Sequence, residues 1–376
     1  MNLKRLKIFI KKETVLVIAS VLAILSAFAV PPSEKYIKYI DLRVLALLLC
    51  LMLVVAGFQS IGLFENLITR LLRFTKTTRI LYHMLVFLSF FTSMLITNDV
   101  ALITFVPFAI LTLQKVHKER YLILIIVLQT VAANLGSMLT PLGNPQNLYL
   151  YSVSGMSLGA FLRTMGPATG FSLLLILSTL LFLRNEVIQP GDIAPQRNQL
   201  GKGIQDRKAL LLYSVLFLLC LGTVLHIIFY GFMLAIVICC ILLYNRKLLW
   251  KADYSLLLTF IAFFIFIGNL GNISGISHLL EDTVTNRELY VGVGLSQVVS
   301  NVPAAILLSG FTDNYRQLLL GVNLGGLGTL IASMASLISF RFYSNCDGAK
   351  KGRYLLIFTG MNLLYLVLLL VFVRLI

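Results

Sequence analysis

Two apolar runs in this chain, each long enough to cross a bilayer, are interrupted by the same kind of polar, glycine-rich stretch: AANLGSMLTPLGNPQN at 132–147 and GVNLGGLGTLIASMAS at 321–336. Aligned, Asn134-Leu135-Gly136 matches Asn323-Leu324-Gly325, and Thr140 matches Thr329. Pro141, Gly143, Asn144 and Pro145 break the first run, and Gly325, Gly326 and Gly328 accompany the second. Main-chain groups freed in hydrocarbon are costly, so such breaks persist only where they are buried in protein or line a wet cavity. A pair in corresponding positions of two halves is the pattern expected of a transport site near the bilayer midplane.

The rest of the chain leaves little room for a soluble fold. Apolar residues make up 59% and charged residues 12% of the sequence, and the mean hydropathy is +0.92. A helical crossing takes about 20 residues, so 376 residues hold several spans and no large soluble domain. Cys50, Cys220, Cys239, Cys240 and Cys346 show no metal or redox spacing. The net charge of +16 would suit a nucleic-acid partner if it lay on one surface. It lies instead in short segments between apolar runs, as in a protein oriented by the positive-inside rule, with the lipid bilayer and not nucleic acid as its surroundings.

Lys4, Arg5, Lys7, Lys11 and Lys12 place the N-terminus in the cytoplasm, and 14–30 reads as a first span. Residues 40–57 return. The block 80–114 has basic residues at both ends (Arg79; Lys115, Lys118, Arg120), and arms of this length are short for two crossings. A re-entrant helical hairpin turning at Thr97-Asn98-Asp99 is expected. A broken helix over 121–156 and a span at 164–183 complete a first repeat, 1–184, and a polar linker follows at 185–208.

A connecting helix, 209–228, leads into a second repeat, 229–376, with spans at 229–244 and 254–272. A hairpin at 289–310 turns at Ser300-Asn301-Val302-Pro303, a broken helix covers 317–340, and a last span ends outside. This assignment leaves Lys35, Lys38, Arg43, Arg163, Arg287, Arg316 and Arg374 outside and the rest of the 31 Lys and Arg residues inside. The expected fold is an all-α polytopic membrane protein, an inverted-topology repeat with two re-entrant hairpins and two discontinuous helices. The connecting helix supplies the odd crossing that inverts the second half.

Thr97, Asn98 and Asp99, and Ser300 and Asn301, stand where N-caps are expected, the second strengthened by Pro303 near the helix start. A helix N-terminus at membrane depth can hold an anion without a buried Lys or Arg. Asp99 is the one acid placed deep in the membrane, where a carboxylate serves as proton carrier or sodium ligand, or as a cap on its own helix. Its counterpart in the second half is Val302. Asn134, Thr140, Asn144, Gln146 and Asn147, with Asn323, Thr329, Ser333 and Ser336, offer neutral oxygens and amides beside the breaks. Interhelical hydrogen bonding is the plainer role for each, and Gly321 to Gly325 has helix-packing spacing.

Other patterns carry no chemistry. Gly155-Met156-Ser157-Leu158-Gly159 lacks the strand context of a nucleophile elbow. VNLGGLG lacks the lysine of a phosphate loop. His83, His117, His226 and His278 fall in four separate segments. Arg43, beside Asp41 early in a span, reads as an interfacial or paired residue. An intramembrane protease of the paired-aspartate kind needs a second buried acid.

TNDVALITFVP followed by ANLGSMLTPLGNPQN, and LSQVVSNVPAAILL followed by VNLGGLGTLIASMASLIS, resemble the citrate-transporter-like branch of the ion transporter superfamily. That branch includes arsenite permeases, NhaD-type sodium/proton antiporters and divalent anion/sodium symporters. The resemblance implies an elevator-like secondary transporter of the inner membrane, a homodimer whose hairpins and broken helices form a mobile domain. It places Asn98, Asp99, Gly143, Asn144, Pro145, Asn147, Ser300, Asn301, Asn323, Gly325 and Gly326 at substrate or ion positions. With the turn and break residues read above, a small anionic substrate is expected at Thr97, Asn98, Asn144, Pro145, Asn147, Ser300, Asn301, Val302 and Thr329, and a coupling Na+ or H+ at Asp99, Asn98, Asn134, Gly143, Asn301, Asn323, Gly325 and Gly326, with no other cofactor. The triplets Thr-Asn-Asp and Ser-Asn-Val depart from the repeated Ser-Asn-Thr of dicarboxylate symporters. The Asn-Asp pair resembles the arsenite and antiporter branch, and a passive channel is a further reading.

Overall fold

A run of helices accounts for most of the described residues, and their boundaries follow the polar punctuation of the sequence. The computed structural model describes residues 13–72, 75–188 and 206–375. The basic residues Lys4 to Lys12, Arg73 and the linker positions Pro190, Gly191, Pro195, Arg197, Gly201, Lys202 and Gly203 lie outside the described residues.

The first half runs α1 (Thr14–Ala29), α2 (Lys35–Tyr39), α3 (Leu42–Ser60), α4 (Leu63–Leu72), α5 (Thr78–Ile96), α6 (Asn98–Lys115), α7 (Leu122–Ser137), α8 (Pro145–Ser154) and α9 (Leu158–Leu181). After α10 (Arg207–Val224) the second half runs α11 (Tyr230–Asn245), α12 (Tyr254–Gly271), α13 (Ser274–Val284), α14 (Glu288–Val299), α15 (Asn301–Ser309), α16 (Tyr315–Leu324), α17 (Met334–Ser344) and α18 (Lys351–Leu375). Among the described residues, eight helices are long and apolar enough to cross a membrane. The fold is that of an all-α, multi-pass membrane protein.

Local chemistry explains the ends. Asp41 accepts from the Val44 amide at 3.0 Å and starts α3. Asp206 and Asp253 do the same for Ala209 and Leu256 at α10 and α12. The sequence GMSLG marks one helix stop and the next start: Gly155 ends α8 in the left-handed region at φ 61° and Ser157 accepts from Ala160 at 3.2 Å to begin α9. Each half places a short amphipathic helix, α4 or α13, between its second span and its hairpin.

The arms of the first hairpin are longer than expected. Its arms run Thr78–Ile96 and Asn98–Lys115, 19 and 18 residues, or about 28 and 27 Å. That approaches a bilayer core of about 30 Å, so this pair is not too short to cross. The reason is local: Thr77 accepts from the Ile80 amide and starts α5 before residue 80. The second hairpin has arms of only 12 and 9 residues, about 18 and 14 Å. Arg43, read as an interfacial or paired residue, finds its partners at the end of α10: its guanidinium meets His226 Nδ1 at 2.6 Å and donates to the Thr223 carbonyl at 2.8 Å.

Packing is densest within two groups of helices, which meet where α12 packs on α15 and α3 on α8. α3 packs on α10 and α11, and α12 packs on α1. In the other group α5 and α6 pack on α7, and α14 and α15 pack on α16. The halves of this second group are interleaved, since α6 packs against α17 and α15 against α8. Gln129 fastens the first hairpin, its buried amide donating to the Leu85 and Phe105 carbonyls at 3.1 and 3.4 Å. Close approach needs glycine at Gly136, where an added Cβ would stand 2.1 Å from the Phe90 carbonyl oxygen.

At one end the start of the linker is strapped to the first hairpin. Thr77 and Val187 form an antiparallel bridge, and Glu186 binds both Lys118 and Arg120. The hydrogen bond from Lys118, with Arg120 adding to it, holds the Glu186 carboxyl below the usual carboxylate range.

Overpacking a tight helix contact costs about 1–3 kcal/mol, so Gly136→Ala is expected to lower the melting temperature in detergent measurably. Gly170→Ala, with no atom within 4 Å of the new methyl group, is expected to leave it unchanged or slightly raised. Equal melting temperatures for the two variants would remove close backbone approach as the role of Gly136.

Candidate functional site

Both broken helices are broken where expected. The first is α7 and α8 with residues 138–144 between them, and the second is α16 and α17 with 325–333 between them. Each break leaves polar main chain inside the bundle, and each is closed by the hairpin of its own half in the same way. The Asn98 amide donates to the Gly143 carbonyl at 3.0 Å, and the Asn301 amide donates to the Ala332 carbonyl at 3.0 Å. Gly143 and Ala332 occupy the same place when Asn134 is set on Asn323.

The match extends further. Thr140 Oγ1 donates to the Met94 carbonyl, and Thr329 Oγ1 donates to the Gln297 carbonyl at 3.2 Å. Gly136 lies against Ser93 as Gly325 lies against Ser296. The turns themselves have one conformation: Thr97 has φ 72° and ψ 148°, and Ser300 has φ 78° and ψ 154°. That region is almost exclusive to glycine, and side-chain-bearing residues held there mark positions that the surrounding structure over-determines.

This conformation changes the expected capping. A conventional N-cap has negative φ and aims its side-chain oxygen at the first turn. Thr97 and Ser300, at positive φ, make no such bond. Asn98 Oδ1 accepts from the Asp99 amide at 2.9 Å instead.

Between the turns lies a buried amide cluster. Asn98, Asn134, Asn144, Asn147, Asn301 and Asn323 are all buried. Asn98 Nδ2 donates to Asn134 Oδ1 at 3.0 Å, and Ser333 Oγ donates to the same oxygen at 3.1 Å. Asn144 Nδ2 donates to Asn323 Oδ1 at 3.1 Å. Ser333 corresponds to Asn144 and Asn134 to Asn323, so these two contacts between the halves are equivalents. Asn323 Nδ2 donates to Asn147 Oδ1 at 2.6 Å, and Asn134 Nδ2 reaches the Gly326 carbonyl at 3.4 Å.

Asn144 caps α8 by accepting from the Asn147 amide at 2.9 Å, with the buried Pro145 at the first helical position. Asn147 Nδ2 serves the Ser137, Met138 and Thr140 carbonyls of the first break, at 3.3, 3.3 and 3.0 Å. A Cβ on Gly326 would stand 3.0 Å from Asn301 Nδ2, and one on Gly143 only 1.9 Å from the Ser137 carbonyl. Two buried side-chain oxygens in this region have no hydrogen-bond partner among the described residues: Asp99 Oδ1 and Ser336 Oγ.

The second turn opens on a cavity of about 860 Å³. Ser300, Val302 and Pro303 line it together with Met334, Asp253, Arg341 and Lys351.

The structure thus brings Asn98, Asn134, Gly143, Asn144, Pro145, Asn147, Asn323, Gly326 and Asn301 to one region. Asp99 is half-buried beside Asn98, and Gly325 packs on Ser296. Thr329 is not brought in. It is exposed, and both its amide and its hydroxyl are committed to Gln297. The threonine ties the break to the hairpin arm and does not face the amide cluster.

Gln297 is a residue that the sequence reading missed. Its amide donates to the Gly325 and Leu327 carbonyls at 2.8 and 2.9 Å, and its Oδ-equivalent carbonyl oxygen, Oε1, accepts from the Thr329 amide at 2.9 Å. Its place one turn before Ser300 on an apolar arm was the available signal.

A polytopic helical bundle with two interrupted helices closed by two hairpin turns is the architecture of a membrane transporter. The chain belongs to the citrate transporter family, whose family model matches residues 6–315. It is similar to "Uncharacterized transporter MJ0456" of Methanocaldococcus jannaschii, 34% identical over 305 residues, covering 81% of this chain and 82% of that protein. It is also similar to "Inner membrane protein YbiR" of Escherichia coli (strain K12), 34% identical over 333 residues and covering 84% of each chain.

Leaving buried carbonyls without a donor costs about 1–3 kcal/mol. Gln297→Ala is therefore expected to lower the melting temperature and raise amide hydrogen exchange at 325–329, with little change at 138–144. Uniform exchange across both breaks would show that Gln297 does not hold the second one.

Proposed function

We propose that this transporter is an ion-coupled secondary transporter moving a small anion or carboxylate across the inner membrane. The observation that carries the reading is the amide cluster shared by two equivalent breaks and flanked by the N-terminal ends of α6 and α15. Amide N–H groups and helix N-termini suit an anion. The cavity beside Ser300, whose wall carries Arg341 and Lys351 as well as Glu13 and Asp253, opens onto the second turn.

Asp99, with Asn98, Asn134, Gly143, Asn301, Asn323, Gly325 and Gly326, is the place for the coupling Na+ or H+. Its partnerless, buried Oδ1 supports that role, because an intramembrane carboxylate needs a proton or cation. Substrate contacts fall to Thr97, Asn98, Asn144, Asn147, Ser300, Asn301 and Val302, with Pro145 setting the start of α8.

The division of the helices into two packing groups supports elevator-type movement of the hairpins and broken helices against α1, α3 and α10–α12. In this reading the repeats are inverted, α10 supplies the extra crossing, the N-terminus is cytoplasmic, the C-terminus is external and the unit is a homodimer. A second reading, a sodium/proton antiporter or arsenite-type efflux permease, is favoured by the asymmetry of the turns. Asp99 follows Asn98, whereas Val302 follows Asn301.

Asp99→Asn tests the coupling role in proteoliposomes. Uptake driven by a sodium or pH gradient is expected to fall to the passive level, with the melting temperature retained. Wild-type transport with unchanged pH and sodium dependence would overturn it. Melting the wild type against small carboxylates, oxyanions and sodium separates the two readings, since a ligand that binds the folded state raises its stability.

A further inference from the structure

Away from the amide cluster, α5 carries a groove that the transport reading does not use. It has a volume of about 580 Å³ and lies between Leu71 at the end of α4 and one face of α5, where Met84, Phe87 and Phe91 supply an apolar floor. Arg79 and His83 close one end, and among the described residues no acidic side chain lines it.

The rings follow one helical stripe. His83 and Phe87 have centroids 5.8 Å apart, and Phe87 and Phe91 have centroids 6.1 Å apart. From Arg79 to Phe91 the helix rises about 18 Å, comparable to half of a hydrocarbon core about 30 Å thick.

The charge at the closed end is available. Among the described residues the Arg79 guanidinium enters no ion pair, because the nearby Glu186 is held by Lys118 and Arg120. Arg79 uses its backbone amide, not its side chain, to reach Asn185 Oδ1 at 3.3 Å. His83 Nδ1 donates to the Arg79 carbonyl at 2.7 Å, which leaves Nε2 for another partner. Exposed Arg70 and Lys76 stand on the flanking segments, so this end of the groove is cationic.

A hydrophobic trough one leaflet deep with cations at its polar end has the chemistry of a lipid site and not of a protein-facing patch. We propose that the groove is a binding site for an anionic phospholipid, one acyl chain lying along Phe87 and Phe91 and the phosphate held by Arg79 and His83. Because α5 is the first arm of the hairpin that carries Asp99, the lipid braces that arm from outside. The site does not depend on which substrate or ion is transported.

Native mass spectrometry of the full chain, offered phosphatidylglycerol and phosphatidylcholine with the same acyl chains, tests this. One cation near a lipid phosphate changes affinity by about fivefold, so phosphatidylglycerol is expected to be retained over phosphatidylcholine by about that factor. The exposed-end double variant Arg79→Gln, His83→Gln is expected to bring the ratio to parity with its lipid-free melting temperature unchanged. Phe87→Ala is expected to lower retention of both lipids without altering their ratio.

Equal retention by the wild type, or an unaltered ratio in the double variant, would overturn the assignment. So would glycerol phosphate raising the melting temperature as much as phosphatidylglycerol, which would mark a free phosphate site. A dimer mass that disappears in the double variant with no lipid retained would show the groove to be covered by a second copy.

Discussion

Interrupting a helix inside an apolar bundle strands main-chain carbonyls and amides, and the whole arrangement of this protein depends on how they are satisfied. Asparagine does most of it. Its short amide both donates and accepts, so Asn144 can cap α8 with its oxygen while its nitrogen reaches Asn323. Asn147 feeds three carbonyls of the first break and still accepts from Asn323. Neutral amides meet this need without the desolvation penalty of charge, which is why the cluster holds six asparagines and borders a single acid.

The two halves solve the same problem with different residues. The turn geometry, the amide-to-carbonyl closure and the threonine tie recur almost atom for atom. Around this shared frame the partners diverge. Asn147 stands where the second half has Ser336, whose hydroxyl is partnerless. The second half recruits Gln297 to serve carbonyls at its own break, where the first half has Met94. The turns differ in the same way, with an acid after Asn98 and a valine after Asn301. The two frames share their backbone bonds while their side chains differ.

Interleaving makes these halves one body. Because α6 rests on α17 and α15 on α8, neither hairpin packs only on its own repeat. Thr130 binds Ser339 at 2.7 Å and Tyr149 meets Ser309 at 2.7 Å, adding ties between the halves. Each hairpin is therefore in contact with the opposite broken helix as well as its own. The helices α3, α10 and α11 pack largely on one another, and α3 also packs on α8 of this body.

Much was legible before any coordinates. Long apolar runs suit lipid, and proline, glycine and asparagine clustered within them mark breaks, whereas the lone Pro107 and Pro167 stay inside continuous helices. The class, the two interruptions at 132–147 and 321–336 and the turns at Thr97 and Ser300 followed from composition and local backbone chemistry. What tertiary structure decided was every relation between distant segments. That Asn134 meets Ser333, that Thr329 is spent on Gln297, that Arg43 meets His226, and that each hairpin leans on the other half depend on packing. Hydrogen-bond partners in a bundle are chosen by which helices come together, and a list of residues carries no record of that choice.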